Sequence, residues 1–107
     1  KADYYRDRAG VYTLLRRYDL ALLDCNKAIE IDPNHASAYL NRAAAYASLK
    51  NFDLSIPDYS KAIALAPTNG IYYGARGLAY LMKGEYDLAI ADYNTAIEKA
   101  EQRASLY

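Results

Sequence analysis

The amino-acid sequence predicts an all-α protein, a right-handed solenoid of three helix-turn-helix units with an extended C-terminal helix. Residue identities recur every 34 positions along the whole chain, as with Tyr12, Tyr46 and Tyr80. Within each period, apolar residues recur at helical spacing in two stretches separated by a short break. One helix pair of this size cannot bury both of its faces, so successive pairs are expected to stack.

Polar as well as apolar residue types recur at the 34-residue period. We therefore divide the chain into units at residues 2–35, 36–69 and 70–103, with a helical extension over 104–107, all within one domain of residues 1–107. The positions that keep one residue type in all three units include Tyr5, Tyr39 and Tyr73; Arg8, Arg42 and Arg76; Asp19, Asp53 and Asp87; Asp24, Asp58 and Asp92; and Ile29, Ile63 and Ile97.

The first helix of each unit is best seen in the middle one, where Tyr39, Ala43 and Tyr46 form an apolar stripe over about residues 37–49. The sequence Lys50-Asn51 interrupts this stripe, and Gly84 occupies the equivalent turn of the third unit. A helix-turn-helix connection is therefore expected there.

The second helix of the middle unit is expected to end at about Leu65, because Pro67 cannot continue it. Its first turn should be capped by Asp53, as those of the other units should be by Asp19 and Asp87. Pro57 is expected in or near that first turn, where proline costs least. The third unit has Gln102 in place of the proline, which predicts that its last helix continues towards Tyr107.

Small residues are expected where the two helices of each unit approach closely: Ala9 with Ala21, Ala43 with Ser55, and Gly77 with Ala89. Together with the aromatic positions, this pattern resembles the tetratricopeptide repeat family. The main departure is an arginine, in all three units, where the family pattern has leucine. The residues that carry the resemblance are Tyr5, Arg8, Ala9, Tyr12, Ala21, Cys25 and Pro33; Tyr39, Arg42, Ala43, Tyr46, Ser55, Tyr59 and Pro67; and Tyr73, Arg76, Gly77, Tyr80, Ala89 and Tyr93.

Composition excludes several classes of function. The 13 basic residues balance the 13 acidic ones, so no segment has the excess needed for nucleic acid as a main partner. No apolar run or basic amphipathic stretch suggests a membrane. The single cysteine leaves the redox compartment open, with a slight preference for the cytoplasm. A start at Lys1 without Met suggests a fragment or processed segment.

Catalysis, metals and cofactors are not expected. His35 is predicted to be a solvated loop residue, and Cys25, which stands where the other units have tyrosine, a core thiol. The glycines do not form a phosphate-binding loop, and no cluster of metal ligands exists in the sequence.

The same spacing of arginine and aspartate in all three units predicts three ion pairs, one within each helix pair: Arg8 with Asp24, Arg42 with Asp58, and Arg76 with Asp92. We interpret them as structural, because partly buried pairs fix geometry. The alternative, a row of arginines that binds an acidic ligand, requires the aspartates to point elsewhere.

The resemblance implies a partner peptide or helix in a concave groove lined by the first helices. The groove residues predicted to set specificity are Arg6, Leu40, Asn41, Ile71, Leu78 and Met82. The groove should change from polar to apolar along the array, which favours an apolar anchor near the third unit. A second interpretation stays open, in which Leu78 and Leu81 lie against the extended last helix or a missing fourth repeat.

One subclass of the family clamps the C-terminal carboxylates of heat-shock chaperones with five polar residues. Here those places hold Arg6, Gly10, Asn41, Ile71 and Ala75, so three of the five cannot make the contacts and this ligand is disfavoured. The sequence thus predicts a non-catalytic scaffold or adaptor for a protein or peptide. The alternatives are homo-oligomerisation through an uncapped end, or a segment of a longer array that regulates another domain.

Overall fold

The computed structural model describes residues 1–105, and every regular element in that range is an α-helix, which confirms the predicted all-α class. The helices form three antiparallel pairs within dimensions of 36 × 33 × 22 Å. Their bounds are α1 Ala2–Leu14, α2 Tyr18–Ile31, α3 Ala36–Ser48, α4 Phe52–Leu65, α5 Gly70–Lys83 and α6 Tyr86–Ala104. None of these helices is long and apolar enough to cross a membrane.

The pairs stack as a helical-repeat solenoid. Within a pair, α1 packs along α2, α3 along α4 and α5 along α6; between pairs, α3 packs on α2 and α1, and α5 packs on α4. Small residues allow the close approach within pairs, since Ala9, Ala21, Ala43 and Ser55 are fully buried. In the third pair, an added Cβ at Gly77 would lie 3.2 Å from the Cβ of Asp92 and 3.4 Å from the carbonyl oxygen of Ala89. The predicted contacts of Ala9 with Ala21 and of Gly77 with Ala89 are therefore confirmed.

The turn inside each pair uses a left-handed residue. Arg16, Lys50 and Gly84 stand one period apart and have φ angles of 59°, 61° and 91°. In the third pair, the glycine follows α5 directly as its left-handed C-terminal cap. The other two turns hold the same conformation with a side chain that disfavours it.

The predicted caps of the second helices are wrong. Asp19, Asp53 and Asp87 lie inside the first turns of α2, α4 and α6, whose N-cap residues are Arg17, Asn51 and Glu85, without side-chain cap hydrogen bonds. The helices start one residue before each aspartate, at an aromatic residue. The carboxylates still favour the helix starts, because the N-terminal end of a helix carries partial positive charge.

The position of Pro57 and the end of the last helix can also be compared with their predictions. Pro57 is the sixth residue of α4 and so lies in its second turn rather than its first. It removes the donor for the carbonyl of Asp53, on an exposed side of the helix. The last helix does continue beyond the third repeat, to Ala104, and Ser105 lies in a turn. Residues 106–107 of the predicted extension lie outside the described residues.

Candidate functional site

Three arginine–aspartate pairs run through the array, one inside each helix pair. In each of them, Nε and Nη2 of the arginine donate to the two carboxylate oxygens of an aspartate on the neighbouring helix. For Arg42 and Asp58 the two distances are 2.7 and 2.8 Å. Arg8 with Asp24 and Arg76 with Asp92 repeat this geometry, with all distances between 2.7 and 2.8 Å. The aspartates are buried and point at their arginines.

The remaining nitrogen of two arginines reaches the preceding unit. Nη1 of Arg42 donates to Oδ1 of Asn26 at 3.0 Å, and Nη1 of Arg76 donates to Oγ of Ser60 at 3.1 Å. Asn26 and Ser60 stand one period apart, on α2 and α4. We call the three pairs together with these cross-unit bonds the arginine ladder. It joins the two helices of every unit, and it joins the second and third units to the unit before them.

The arginine ladder is less enclosed at its N-terminal end. The side chain of Arg8 is 59% exposed, whereas those of Arg42 and Arg76 are 23% and 21% exposed. The hydrogen bonds that Arg42 donates to Asp58 raise the pKa of its guanidinium group, and those to Asp92 raise that of Arg76. These two guanidinium groups are thus occupied within the fold rather than presented to a ligand.

The predicted polar groove residues, Arg6 and Asn41, lie against each other. The amide nitrogen of Asn41 donates to the carbonyl of Arg6 at 3.1 Å. The guanidinium group of Arg6 donates to Asp7 at 2.6 Å and to the hydroxyl of Ser37. Leu40 is half-buried and packs against the apolar clusters between the second and third pairs. It therefore contributes to the stacking of the units.

The predicted apolar groove residues lie on one helix and are open to solvent. On α5, Ile71 is 73% exposed, Leu78 49% and Met82 51%. Ile71 and Leu78 also line a pocket of about 850 Å³ between α5 and α6, which we call the end pocket. Its other walls include Ala75, Tyr93, Ala96, Lys99, Ala100 and Arg103. The change from polar to apolar along the first helices is therefore present in the surface.

His35 does not match its prediction as a solvated loop residue. Its side chain is 12% exposed, and Nε2 lies 2.7 Å from Oδ1 of Asp3 on α1. Nδ1 lies 3.3 Å from the hydroxyl oxygen of Ser37. The hydrogen bond between His35 and Asp3 lowers the pKa of the Asp3 carboxyl. His35 thus links the start of α3 to α1. Histidine and aspartate do not recur at these two positions in the other units, so the 34-residue period gave no signal for this contact.

Cys25 is confirmed as a core thiol. It is fully buried between the first and second pairs and packs with Ala9, Ala21 and Ala45. Burial raises the pKa of the thiol to about 12, so the nucleophilic thiolate is disfavoured in the folded protein. Within residues 1–105, no group of three His, Cys, Asp or Glu residues could hold a metal ion.

In a comparison with protein families, two tetratricopeptide repeat models match overlapping parts of the chain. One tetratricopeptide repeat model matches residues 2–35 and 36–69, and a second tetratricopeptide repeat model matches residues 58–91. A comparison with curated proteins finds no match to the chain.

Solved structures with the same fold include MamA, with a TM-score of 0.92 and 28% sequence identity. The match covers 98% of this chain but 61% of the MamA chain, so this chain spans less than two thirds of that protein. The first tetratricopeptide domain of Spaghetti (RPAP3), bound to the HSP90 peptide SRMEEVD, has a TM-score of 0.88 at 29% identity, over 92% of this chain and 79% of that one. The first such domain of human RPAP3 has a TM-score of 0.88 at 28% identity, over 92% and 77% of the two chains.

Proposed function

Because the chain belongs to the tetratricopeptide repeat family, a fold of protein-interaction modules, we propose that it binds a peptide or helix of a partner protein in the groove lined by α1, α3 and α5. The observation that carries the proposal is the exposed apolar row on α5. Ile71, Leu78 and Met82 are each about half exposed or more, on a helix that is otherwise packed on two sides. Exposed apolar rows of this kind typically mark interaction surfaces.

The groove offers two different kinds of contact. At the third unit, the α5 row supplies an apolar anchor site, and Met82 adapts its shape to the side chain that enters. At the first and second units, Arg6 and Asn41 supply polar contacts, and their positions are fixed by the hydrogen bonds to Asp7, Ser37 and the Arg6 carbonyl. A partner with an apolar anchor at one end and acidic or polar residues towards the other fits this arrangement.

The chain itself provides variants that test the anchor site. The middle unit has Ser37, Ala44 and Ser48 at the positions of the α5 row, and its helix forms with them. The experiment selects peptides from a random peptide display library on the 107-residue chain and measures the affinity of a selected peptide by isothermal titration. We expect the substitutions Ile71→Ser, Leu78→Ala and Met82→Ser each to weaken binding by about tenfold, as loss of a buried anchor does.

A matched control replaces an exposed apolar residue outside the groove. Leu23→Ala, on α2, removes a side chain that is 64% exposed and should leave peptide affinity unchanged. The peptide SRMEEVD serves as a specificity comparison, and we expect it to bind more weakly than the selected peptide, because Gly10, Ile71 and Ala75 stand at three of the five clamp positions. Selected peptides that bind equally well to all three α5 variants would overturn the proposed anchor site.

A further inference from the structure

The solenoid has two internal interfaces, the first between the first and second helix pairs and the second between the second and third pairs. Both interfaces use equivalent positions of the repeat, and the same positions are exposed at the two ends of the array. At the second interface, the entering helix α5 contributes Tyr72 and Ala79 to two separate apolar clusters. At the first interface, α3 contributes Ala38 and Ala45, which stand one period earlier. The receiving residues at the second interface are Ala43 and Tyr59 for one cluster, and Ala62 and Ile63 for the other.

The N-terminal end presents the entering side of such an interface. Tyr4 and Val11 of α1 stand one period before Ala38 and Ala45. Tyr4 is 71% exposed and Val11 is 54% exposed, because no helix pair precedes them in the structure. This outer face of α1 has the same positions available for packing as α3 and α5 use.

The C-terminal end presents the receiving side. Tyr93, Ala96 and Ile97 of α6 stand one period after Tyr59, Ala62 and Ile63. Tyr93 and Ala96 line the end pocket, and Ile97 is 56% exposed, whereas Ile63 is 8% exposed at the internal interface. The end pocket is therefore the continuation of the internal interfaces beyond the third pair.

The arginine ladder has matching open ends as well. At each internal interface an arginine donates through Nη1 to the second helix of the preceding unit, as Arg42 does to Asn26. In the described residues, Nη1 of Arg8 makes no such bond, and Asn94, one period after Ser60, accepts none. A donor remains at one end of the array and an acceptor at the other.

We propose that a second copy of this chain occupies the end pocket, with its α1 packed on α5 and α6 as α5 packs on α4. Tyr4 of the second copy then lies against Ala96 and Ile97, and Val11 lies against Tyr93. The two copies use different surfaces, so the contact does not close into a pair, and further copies extend the array from head to tail. This goes beyond peptide binding in the groove, but it shares two residues of the α5 row, Ile71 and Leu78, which line the end pocket as well.

The contact between copies is weaker than the internal interfaces. The first interface also holds the bond from Asn41 to the Arg6 carbonyl and the contact of His35 with Asp3. Between copies, the corresponding positions hold Asp7 opposite Gly74 and Lys1 opposite Ile71, which cannot repeat these polar contacts. The association is therefore reversible and concentration-dependent.

Sedimentation equilibrium of the 107-residue chain over a wide concentration range tests the proposal. We expect the weight-average mass to rise beyond that of a dimer without reaching a plateau. Val11→Asp on the entering side and Ile97→Asp on the receiving side should each lower the association constant by about tenfold or more, because a carboxylate would be buried among apolar groups. The control is Leu23→Asp on α2, which changes a similarly exposed apolar residue and should leave the association constant unchanged.

Mixing the two variants distinguishes a head-to-tail contact from a symmetric one. The Val11→Asp copy keeps its receiving end and the Ile97→Asp copy keeps its entering end, so an equimolar mixture should form a dimer and nothing larger. A symmetric contact cannot recover in this way. The proposal is overturned if the unmodified chain stays monomeric at millimolar concentration, if either variant associates like the unmodified chain, or if the mixture stays monomeric. Circular dichroism of each variant establishes that it is folded.

Discussion

Replacing the ladder arginines one at a time by alanine should produce a graded loss of stability that follows their burial. Arg42→Ala removes two charge-assisted hydrogen bonds from Asp58, whose side chain is 10% exposed, and one from Asn26. Removal of one partner from a fully buried ion pair costs about 3–5 kcal/mol, because the other charge is left unpaired. Since the side chain of Arg42 is 23% exposed, we expect a smaller loss of about 2–4 kcal/mol in the free energy of unfolding.

The other two arginines extend this series. Arg76 has nearly the same exposure and the same cross-unit bond as Arg42, so Arg76→Ala should cost a similar amount. Arg8→Ala should cost clearly less, because Arg8 is 59% exposed, is screened by solvent and makes no cross-unit bond. The order expected from the structure is therefore Arg42 and Arg76 first, with Arg8 well behind.

Urea unfolding followed by circular dichroism at 222 nm measures these losses. Lys27→Ala is the control, since Lys27 forms an exposed contact with Glu30 at 3.7 Å and should have little effect. The double variant Arg42→Leu with Asp58→Leu should be more stable than Arg42→Ala, because it leaves no unpaired charge. An unchanged stability for Arg42→Ala, or equal losses for Arg8 and Arg42, would refute this account of the ladder.

Two further predictions concern the turns and the core. Lys50→Gly should raise the free energy of unfolding by about 1 kcal/mol, and Gly84→Lys should lower it by a similar amount, because the shared left-handed turn favours glycine; thermal melts measure both, and opposite signs would contradict the explanation. Cys25 should react with Ellman's reagent at pH 8 far more slowly in the folded than in the urea-unfolded chain. Its pKa is raised from 9.0 to about 12, so the protonated thiol favours the folded state below pH 9, and this contribution should disappear as the pH rises from 9 to 12. Fast reaction in the folded chain, or stability in Cys25→Ala that falls equally over this range, would show that the thiol is not the cause.

Much of the fold could be predicted because the 34-residue period marks each position three times. Arginine and aspartate sixteen residues apart in every unit indicated the three ion pairs, and small residues in register indicated the helix crossings. The helices start two residues earlier than predicted, since Tyr18 and Phe52 pack against the apolar clusters as first residues of their helices. That packing outweighs a capping preference of about 1 kcal/mol.

The features that the sequence did not reveal lack a periodic signal. The acceptor of the cross-unit bond is Asn26 in one unit and Ser60 in the next, so the position shows no constant residue type. The contact of His35 with Asp3 occurs once and joins residues 32 apart. The half-buried position of Leu40 depends on how α5 lies against α3 and α4, which spacing within one unit does not determine.

The place of α6 in the array has a consequence for local opening. In the described chain, α1 to α5 each pack against at least two other helices, whereas α6 packs mainly against α5. A helix held on one side needs the least free energy to detach, so amide exchange should be fastest in α6 and slowest in the middle pair. Asp92 lies on α6, and its detachment would strand the guanidinium group of Arg76 inside the array. The ion pair between Arg76 and Asp92 therefore helps to hold α6 against α5, which is its main packing partner in the described chain.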